Sequence, residues 1–243
     1  MKIIAVIPAR YQASRFPGKL MQPLGDSTVI GQTYKNVLQT ALFSEVIVAT
    51  DDDAIQNEIE TLGGSVFRSK KEHECGSDRI AEAVEHSDAD IVINIQGDEP
   101  FLNQNSLKAL LEVFETDLNK EIDLASLMIP FNEKKEVENP NNVKVIVDQF
   151  NCALYFSRIP IPFYRDKELP KNYFKHIGVY AFRKEALLNF SSTEMTPLEQ
   201  AEKIECIRYL EQGKKMKMVL THEISIGIDT PEDLNKAQQF LKN

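Results

Sequence analysis

Arg10, Arg15 and Lys19 stand close together after an apolar run, Ile3–Ile7, near the start of a chain whose formal net charge is −9. A short apolar run predicts a buried strand, ended here by Pro8 because proline cannot donate to a sheet ladder. In open α/β sheets ligands bind beyond the carboxyl ends of the strands, where this basic loop falls. Three cations in that position in an acidic protein point to a strongly anionic ligand such as a triphosphate. The plainer alternative is a solvated basic loop. Two carboxylates stand where they could complement the cations. Asp98 follows the apolar run Ile91–Ile95, and Asp229 precedes a helix opening near Pro231. A carboxylate at a strand end opposite a phosphate loop is placed to hold Mg²⁺, which takes oxygen ligands. Each also has a bland role, Asp98 as an Asx-turn residue and Asp229 as a helix N-cap.

The elements that must position these residues alternate. Segments 2–7, 45–49, 65–67 and 90–95 read as strands, and 29–40, 53–62, 78–87 and 104–117 as helices, with Gly63-Gly64 stopping the second helix. Such alternation predicts right-handed crossovers and a mainly parallel sheet covered by helices on both faces. Residues 143–147 and 152–156 read as a hairpin around Asp148-Gln149-Phe150-Asn151, followed by an irregular stretch punctuated by Pro160, Pro162 and Pro170. A helix over about 198–210, short strands and a closing helix from 231 complete the chain.

Composition narrows the function. The 243 residues suffice for one sizeable α/β domain, and 42% hydrophobic with 27% charged residues is ordinary for a globular protein. The negative charge argues against a general nucleic-acid binder, which displays a broad basic face. Three cysteines without paired spacing make neither a disulfide framework nor a zinc site, and fit a reducing cytoplasm. No apolar run reaches the length of a membrane span or a signal-peptide core. The dinucleotide and P-loop glycine fingerprints, the serine elbow and the "HExxH" zinc motif are all absent.

The segment "IPARYQASRFPGKL" resembles the opening signature of the sugar-activating nucleotidyltransferases, and is most similar to the CMP-Kdo synthetases, the 3-deoxy-manno-octulosonate cytidylyltransferases. The resemblance continues through "HECGSDR" (73–79), "NIQGDEP" (94–100), "NPNNVK" (139–144), "ALYFSR" (153–158), "HIGVY" (176–180) and "GIDTPEDL" (227–234), in family order from residue 3 to residue 234. It implies a three-layer α/β sandwich with a mostly parallel, Rossmann-like sheet of the nucleotide-diphospho-sugar transferase type and a small antiparallel insertion. It also implies a single domain over 1–243, with 1–130 mainly binding nucleotide and 131–243 mainly binding sugar and forming a homodimer.

The implied reaction joins CTP and 3-deoxy-D-manno-octulosonate (Kdo) into CMP-Kdo with release of diphosphate, for lipopolysaccharide biosynthesis in the cytoplasm. Arg10 and Lys19 then fall on the β- and γ-phosphates, with Arg15 a further candidate and Ala9 beside them. Gly18 would let backbone approach the phosphates. By the same resemblance Asp98 and Asp229 share a Mg²⁺ ion, making Arg10, Lys19 and Asp98 the catalytic set. A tight Gly76-Ser77 turn would offer backbone groups to cytosine, while Arg79 either contacts the base or pairs with a nearby acid. Gln96 projects toward the side of Asp98 and could meet nucleotide and sugar. Arg158 suits bidentate recognition of the sugar carboxylate. His176, Tyr180 and Glu205 match sugar-binding positions, although a lone histidine such as His176 is more often structural. His73, His86 and His222 read as structural or surface residues. Cys75 and Cys206 depart from the family's Ser and Gln. A cytidylyltransferase for sialic acid or 8-amino-Kdo, a sugar-1-phosphate nucleotidyltransferase and a silent sugar-nucleotide sensor are the rival readings. Retention of both carboxylates argues against the sensor.

Overall fold

The computed structural model describes residues 1–12, 16–71, 73, 75–131, 133–223 and 227–242. In chain order the elements are β1 (Ile3–Ala9), a 3₁₀ turn (Lys19–Met21), β2 (Pro23–Leu24), β3 (Ser27–Thr28), α1 (Val29–Gln39), β4 (Glu45–Thr50), α2 (Asp53–Thr61), β5 (Ser65–Arg68) and α3 (Gly76–Val84). They continue with β6 (Ile91–Asn94), α4 (Gln104–Thr116), β7 (Leu124–Pro130), α5 (Lys134–Glu138), β8 (Lys144–Val147), β9 (Ala153–Ser157) and β10 (Phe174–Arg183). The chain closes with α6 (Lys184–Ser191), α7 (Pro197–Glu202), α8 (Ile207–Glu211), β11 (Met216–Leu220) and α9 (Pro231–Phe240).

The main sheet runs β11-β7-β10-β6-β1-β4-β5. All its strands are parallel except β10, which opposes both β6 and β7. Period-two alternation along the strands feeds two separate cores. Ala5, Ile7 and Ala9 face a core shared with α1, α2, α4 and α9, whereas Ile4 and Val6 face one shared with α3, α6 and α8. The expected three-layer α/β sandwich is therefore present. Its antiparallel addition is the β8–β9 hairpin, attached to the start of β10. β10 comes from the later half of the chain yet lies between β6 and β7, so the two halves share one sheet.

Strand order creates the crevice that matters for function. The chain goes from β1 through α1, β4 and α2 to β5 on one side, and then α3 carries it to β6 on the other side of β1. The carboxyl ends of β1 and β6 thus flank a topological switch point, where open α/β sheets bind ligands.

Three expectations need correction. Pro8 does not end β1, which continues to Ala9 in register with Thr50. The Val6 carbonyl accepts from the Ile95 amide on the β6 side, and alternation turns Pro8 the same way, where β6 has already ended. No donor is needed there. The helix read over 198–210 is two helices, because Lys203 takes a left-handed conformation (φ 54°) and its amide closes α7 on the Glu199 carbonyl at 2.7 Å. The helix read over 78–87 spans Gly76–Val84 instead.

Candidate active site

The cleft at the switch point is lined by Ala9 and Arg10 from the end of β1, Lys19 and Leu20 from the 3₁₀ turn, and Gly76 and Arg79 from α3. Gln96, Gly97 and Asp98 come from the loop after β6, and Asp229 from the segment before α9. Pro8, Phe16, His73 and Cys75 complete the wall. Arg15 lies outside the described residues.

Gly18 sets the direction of Lys19. It adopts φ 68°, a region that side-chain-bearing residues avoid, and its amide donates to the Tyr11 carbonyl at 3.1 Å. The turn sends the Lys19 ammonium between two carboxylates, donating to Asp98 and, at 3.0 Å, to Asp229 Oδ1. Burial would lower the Lys19 pKa, but the two carboxylates outweigh it and hold the ammonium above its usual value.

Each carboxylate rests on a fixed backbone. Asp98 does not end a strand: it lies beyond β6, in a turn closed by the Glu99 amide on the Gln96 carbonyl at 3.1 Å. Helix α1 clamps this loop from below. Thr33 Oγ1 donates to the Gly97 carbonyl at 2.9 Å, and Asn36 Nδ2 donates to the carbonyls of Pro100 and Leu102, each at 3.0 Å. The Ile228 amide donates to the Asp98 carbonyl at 2.9 Å, so the two carboxylate-bearing segments are joined directly. Asp229 is not the cap of α9. Thr230 is, in a capping box with Asp233, and Pro231 takes the first helical turn. That arrangement leaves the Asp229 side chain turned to Lys19 rather than to the helix.

The opposite wall is the start of α3. Gly76 and Ser77 form the first turn of this helix, not an isolated tight turn, with Cys75 as the N-cap. Amide groups in a first helical turn lack intrahelical acceptors and favour anionic or carbonyl partners. A Cβ on Gly76 would sit 3.5 Å from Pro8 Cγ, an ordinary contact, so the protein itself does not demand glycine and the space belongs to the cleft. Cys75 Sγ donates to Asp78 Oδ2 at 3.3 Å, and burial together with Glu205 and Asp78 pushes its pKa far up, leaving a neutral thiol rather than a nucleophile. Arg79 pairs with Asp51 (2.9 Å), so the acid partner and the cleft position occur together.

His73, read from sequence as structural or surface, lines the cleft. Its Nε2 lies 2.8 Å from Glu82 Oε2 and 3.1 Å from Ser69 Oγ, and that hydroxyl donates to the same carboxylate at 2.8 Å. Its place just ahead of the α3 N-terminus was the available signal.

A family model described as cytidylyltransferase matches residues 4–216. The 3-deoxy-manno-octulosonate cytidylyltransferase of Christiangramia forsetii is 60% identical, covering 99% of this chain and 97% of the relative. That of Flavobacterium johnsoniae is 57% identical over the full length of both. The chain belongs to the 3-deoxy-manno-octulosonate cytidylyltransferase family. A solved CMP:2-keto-3-deoxy-manno-octonic acid synthetase complexed with CTP superposes with a TM-score of 0.93 at 36% identity, covering 100% of this chain and 99% of that one. A cytidylyltransferase from Leptospira borgpetersenii, with a TM-score of 0.66 at 18% identity, shares the fold.

Of the positions that the resemblance assigns to the sugar, Gln96 lines the cleft, and Arg158, His176, Tyr180 and Glu205 do not. Glu205, Tyr180 and His176 form a polar seam behind it. Glu205 lies in the non-helical link between α7 and α8; burial raises the pKa of its carboxyl, and the neighbouring Cys75 and Ser77 partly offset this. Cys206 and Tyr180 interact next to it, and the Tyr180 ring lies 5.4 Å from that of His176. His176 is buried and Nε2 lies 2.9 Å from Ser126 Oγ; desolvation depresses its pKa to about 3, so the ring is neutral. Arg158 is engaged elsewhere: its guanidinium donates to the carbonyls of Glu202 (2.6 Å), Pro140 (3.0 Å) and Lys203 (3.1 Å), capping the end of α7. In this conformation it braces the α7 end rather than presenting an open fork to a carboxylate. Gln96 bridges cleft and seam through Nε2, which donates to Asn94 Oδ1 at 3.0 Å.

Among the described residues no three His, Cys, Asp or Glu side chains gather into a protein-only metal cage. Among the described residues no helix is long and apolar enough to cross a membrane.

Proposed function

We propose that this chain transfers the cytidylyl group of CTP to a hydroxyl of Kdo, giving CMP-Kdo and diphosphate for lipopolysaccharide biosynthesis. The observation that carries this reading is the convergence of Lys19, Asp98 and Asp229 at the cleft floor, with Arg10 at its rim and the α3 N-terminus opposite. In the reaction the sugar oxygen bonds to the α-phosphorus, the bond from that phosphorus to the β-phosphate bridging oxygen breaks with its electron pair going to the diphosphate, and the hydroxyl gives its proton to solvent. Arg10 and Lys19 stabilise negative charge as it grows on the departing diphosphate. The first-turn amides of α3 and the Arg79 guanidinium receive the base, while Pro8 and Phe16 supply apolar wall. Gln96 in the cleft and the half-buried Glu205 behind it meet the sugar hydroxyls, with Tyr180 and His176 packed behind them.

The two carboxylates fit Mg²⁺: both already converge on one cation, the Lys19 ammonium, and offer only hard oxygen donors. Asp98 and Asp229 would hold the ion, leaving its other positions to phosphate and water. The bound ion would supply Lewis-acid polarisation of the phosphate and lower the pKa of the attacking hydroxyl. A homodimer through β9 and the segment after it agrees with the exposure of Leu154, Ile159 and Phe163 there, and a cytoplasmic location agrees with the three free cysteines. Sedimentation of the full chain at twice the monomer mass checks the first.

The decisive measurement is diphosphate release across CTP, UTP and ATP, each with Kdo, 8-amino-Kdo and a sialic acid. CTP with Kdo is expected to give the highest kcat/KM. Equal release with UTP or ATP overturns the cytidylyl assignment, preference for another acid overturns the sugar, and tight CTP binding without turnover favours a sensor.

A further inference from the structure

We propose that Asp51 is the positioning residue of the base pocket, holding one nitrogen of Arg79 so that another meets the nucleobase. The proposal rests on the reading of the cleft as a CTP site. Asp51 is the first residue beyond β4, and Thr50 pairs in register with Ala9, so Asp51 emerges beside the cleft at the carboxyl edge of the sheet. Arg79 lies one turn into α3 with its side chain 8% exposed, and it lines the cleft. Its Nη2 donates to Asp51 Oδ2 at 2.9 Å, whereas Nη1 is buried and has no hydrogen-bond partner. A buried guanidinium donor left unpaired costs free energy that a ligand acceptor would recover.

Water screens the Asp51 end of the pair, whose side chain is 45% exposed, while the Arg79 end is buried. What the pair does is fix orientation: a planar guanidinium held at one nitrogen has its remaining edge aimed in one direction. Cytosine presents two adjacent acceptors, O2 and N3. Uracil keeps O2 but carries a hydrogen on N3, so a donor fixed toward that edge meets another donor. Asp51 touches neither base nor phosphate; it acts through Arg79, and its removal frees the guanidinium to turn.

Steady-state kinetics of the full chain with CTP and UTP, at saturating Kdo and Mg²⁺, tests this in Asp51→Ala, Asp51→Glu, Arg79→Ala and the double variant. Asp51→Ala should raise KM for CTP about tenfold, as expected for loss of a charge-assisted contact. Its kcat should stay within about twofold, because the reacting phosphates are held by other residues. The preference for CTP over UTP should narrow by a similar factor. Asp51→Glu should restore most of both, and the double variant should equal Arg79→Ala. A wild-type KM and preference in Asp51→Ala, with KM raised in Arg79→Ala, overturns the positioning role alone. An unchanged KM in Arg79→Ala overturns the reading of this wall as the base site. A lowered Tm in Asp51→Ala with equal losses for both nucleotides reduces the pair to a structural tie and overturns the proposal.

Discussion

Lys19 sets one positive charge against the two negative charges of Asp98 and Asp229, which leaves the trio able to take a further cation in the proposed metal–triphosphate complex. Asp98→Asn and Asp229→Asn each keep shape and a neutral oxygen but lose the charge that competes for Mg²⁺ against phosphate. Each should lower kcat roughly a thousandfold, the scale of metal assistance, while circular dichroism and Tm stay near wild type. The double variant should be little worse than either single one, because both disable one shared site. Thr230 already caps α9, so near-normal turnover in Asp229→Asn would remove Asp229 from the metal site without a competing structural explanation. On the proposed reading the charges of Lys19 and Arg10 act on the leaving diphosphate, so Lys19→Ala and Arg10→Ala should cut kcat more than they raise KM for the sugar. Wild-type kcat in either would mark that cation as surface charge.

At the level of elements, the β7–β10 pair carries the polar seam, and Ser126 is its pin. The register of the pair shifts between Ile177 and Tyr180. Ser126 Oγ lies 3.0 Å from the Ile177 carbonyl and 2.8 Å from that of Val179, so its one hydrogen serves them and its lone pair accepts from His176 Nε2. Ser126→Ala should cost about 1–3 kcal/mol in urea unfolding by leaving buried polar groups unpaired. His176 adds a pH dependence whose sign follows from its environment. Unfolded, the imidazole protonates near 6.5; folded, only near 3. Between these values the unfolded state binds more protons, so this contribution is complete above pH 6.5 and is lost on acidification. The slope is about 1.4 kcal/mol per pH unit for one group. His176→Gln keeps a donor for Ser126 and should flatten the stability curve between pH ~6.5 and ~5, above the ordinary carboxylate range. An unchanged slope would show that His176 is protonated when folded.

For the whole molecule, the cleft unites segments far apart in the chain: Lys19 and Asp229 are 210 residues apart in sequence and 3.0 Å apart in space. A ligand held by both should stabilise the folded chain as a unit. CTP with Mg²⁺ at a hundred times Kd is expected to add about 2.7 kcal/mol, read as a rise in Tm. Asp229→Asn should abolish most of that rise and leave the ligand-free Tm unchanged. A rise that survives in Asp229→Asn would confine CTP binding to the β1 loop and α3.

The order of strands and helices, the two-faced sheet and the basic loop of Arg10 and Lys19 were legible in the chain itself, because strand alternation, glycine and proline stops and short spacings are written in consecutive residues. Gly76, Arg79 and the pairing of Asp98 with Asp229 came from the family resemblance, and the structure brings all of them to one cleft. Other features were settled only by packing. Pro8 stays in its strand because the neighbouring strand has ended, which no window of sequence records. Arg158 is occupied by three carbonyls because segments distant in sequence meet there. Asp51, unremarkable beside two further aspartates, gains meaning only from the helix that brings Arg79 against it. Sequence encodes which groups are available and which faces are apolar. Which donor meets which acceptor depends on chain closure over many residues, and only the folded structure carries that.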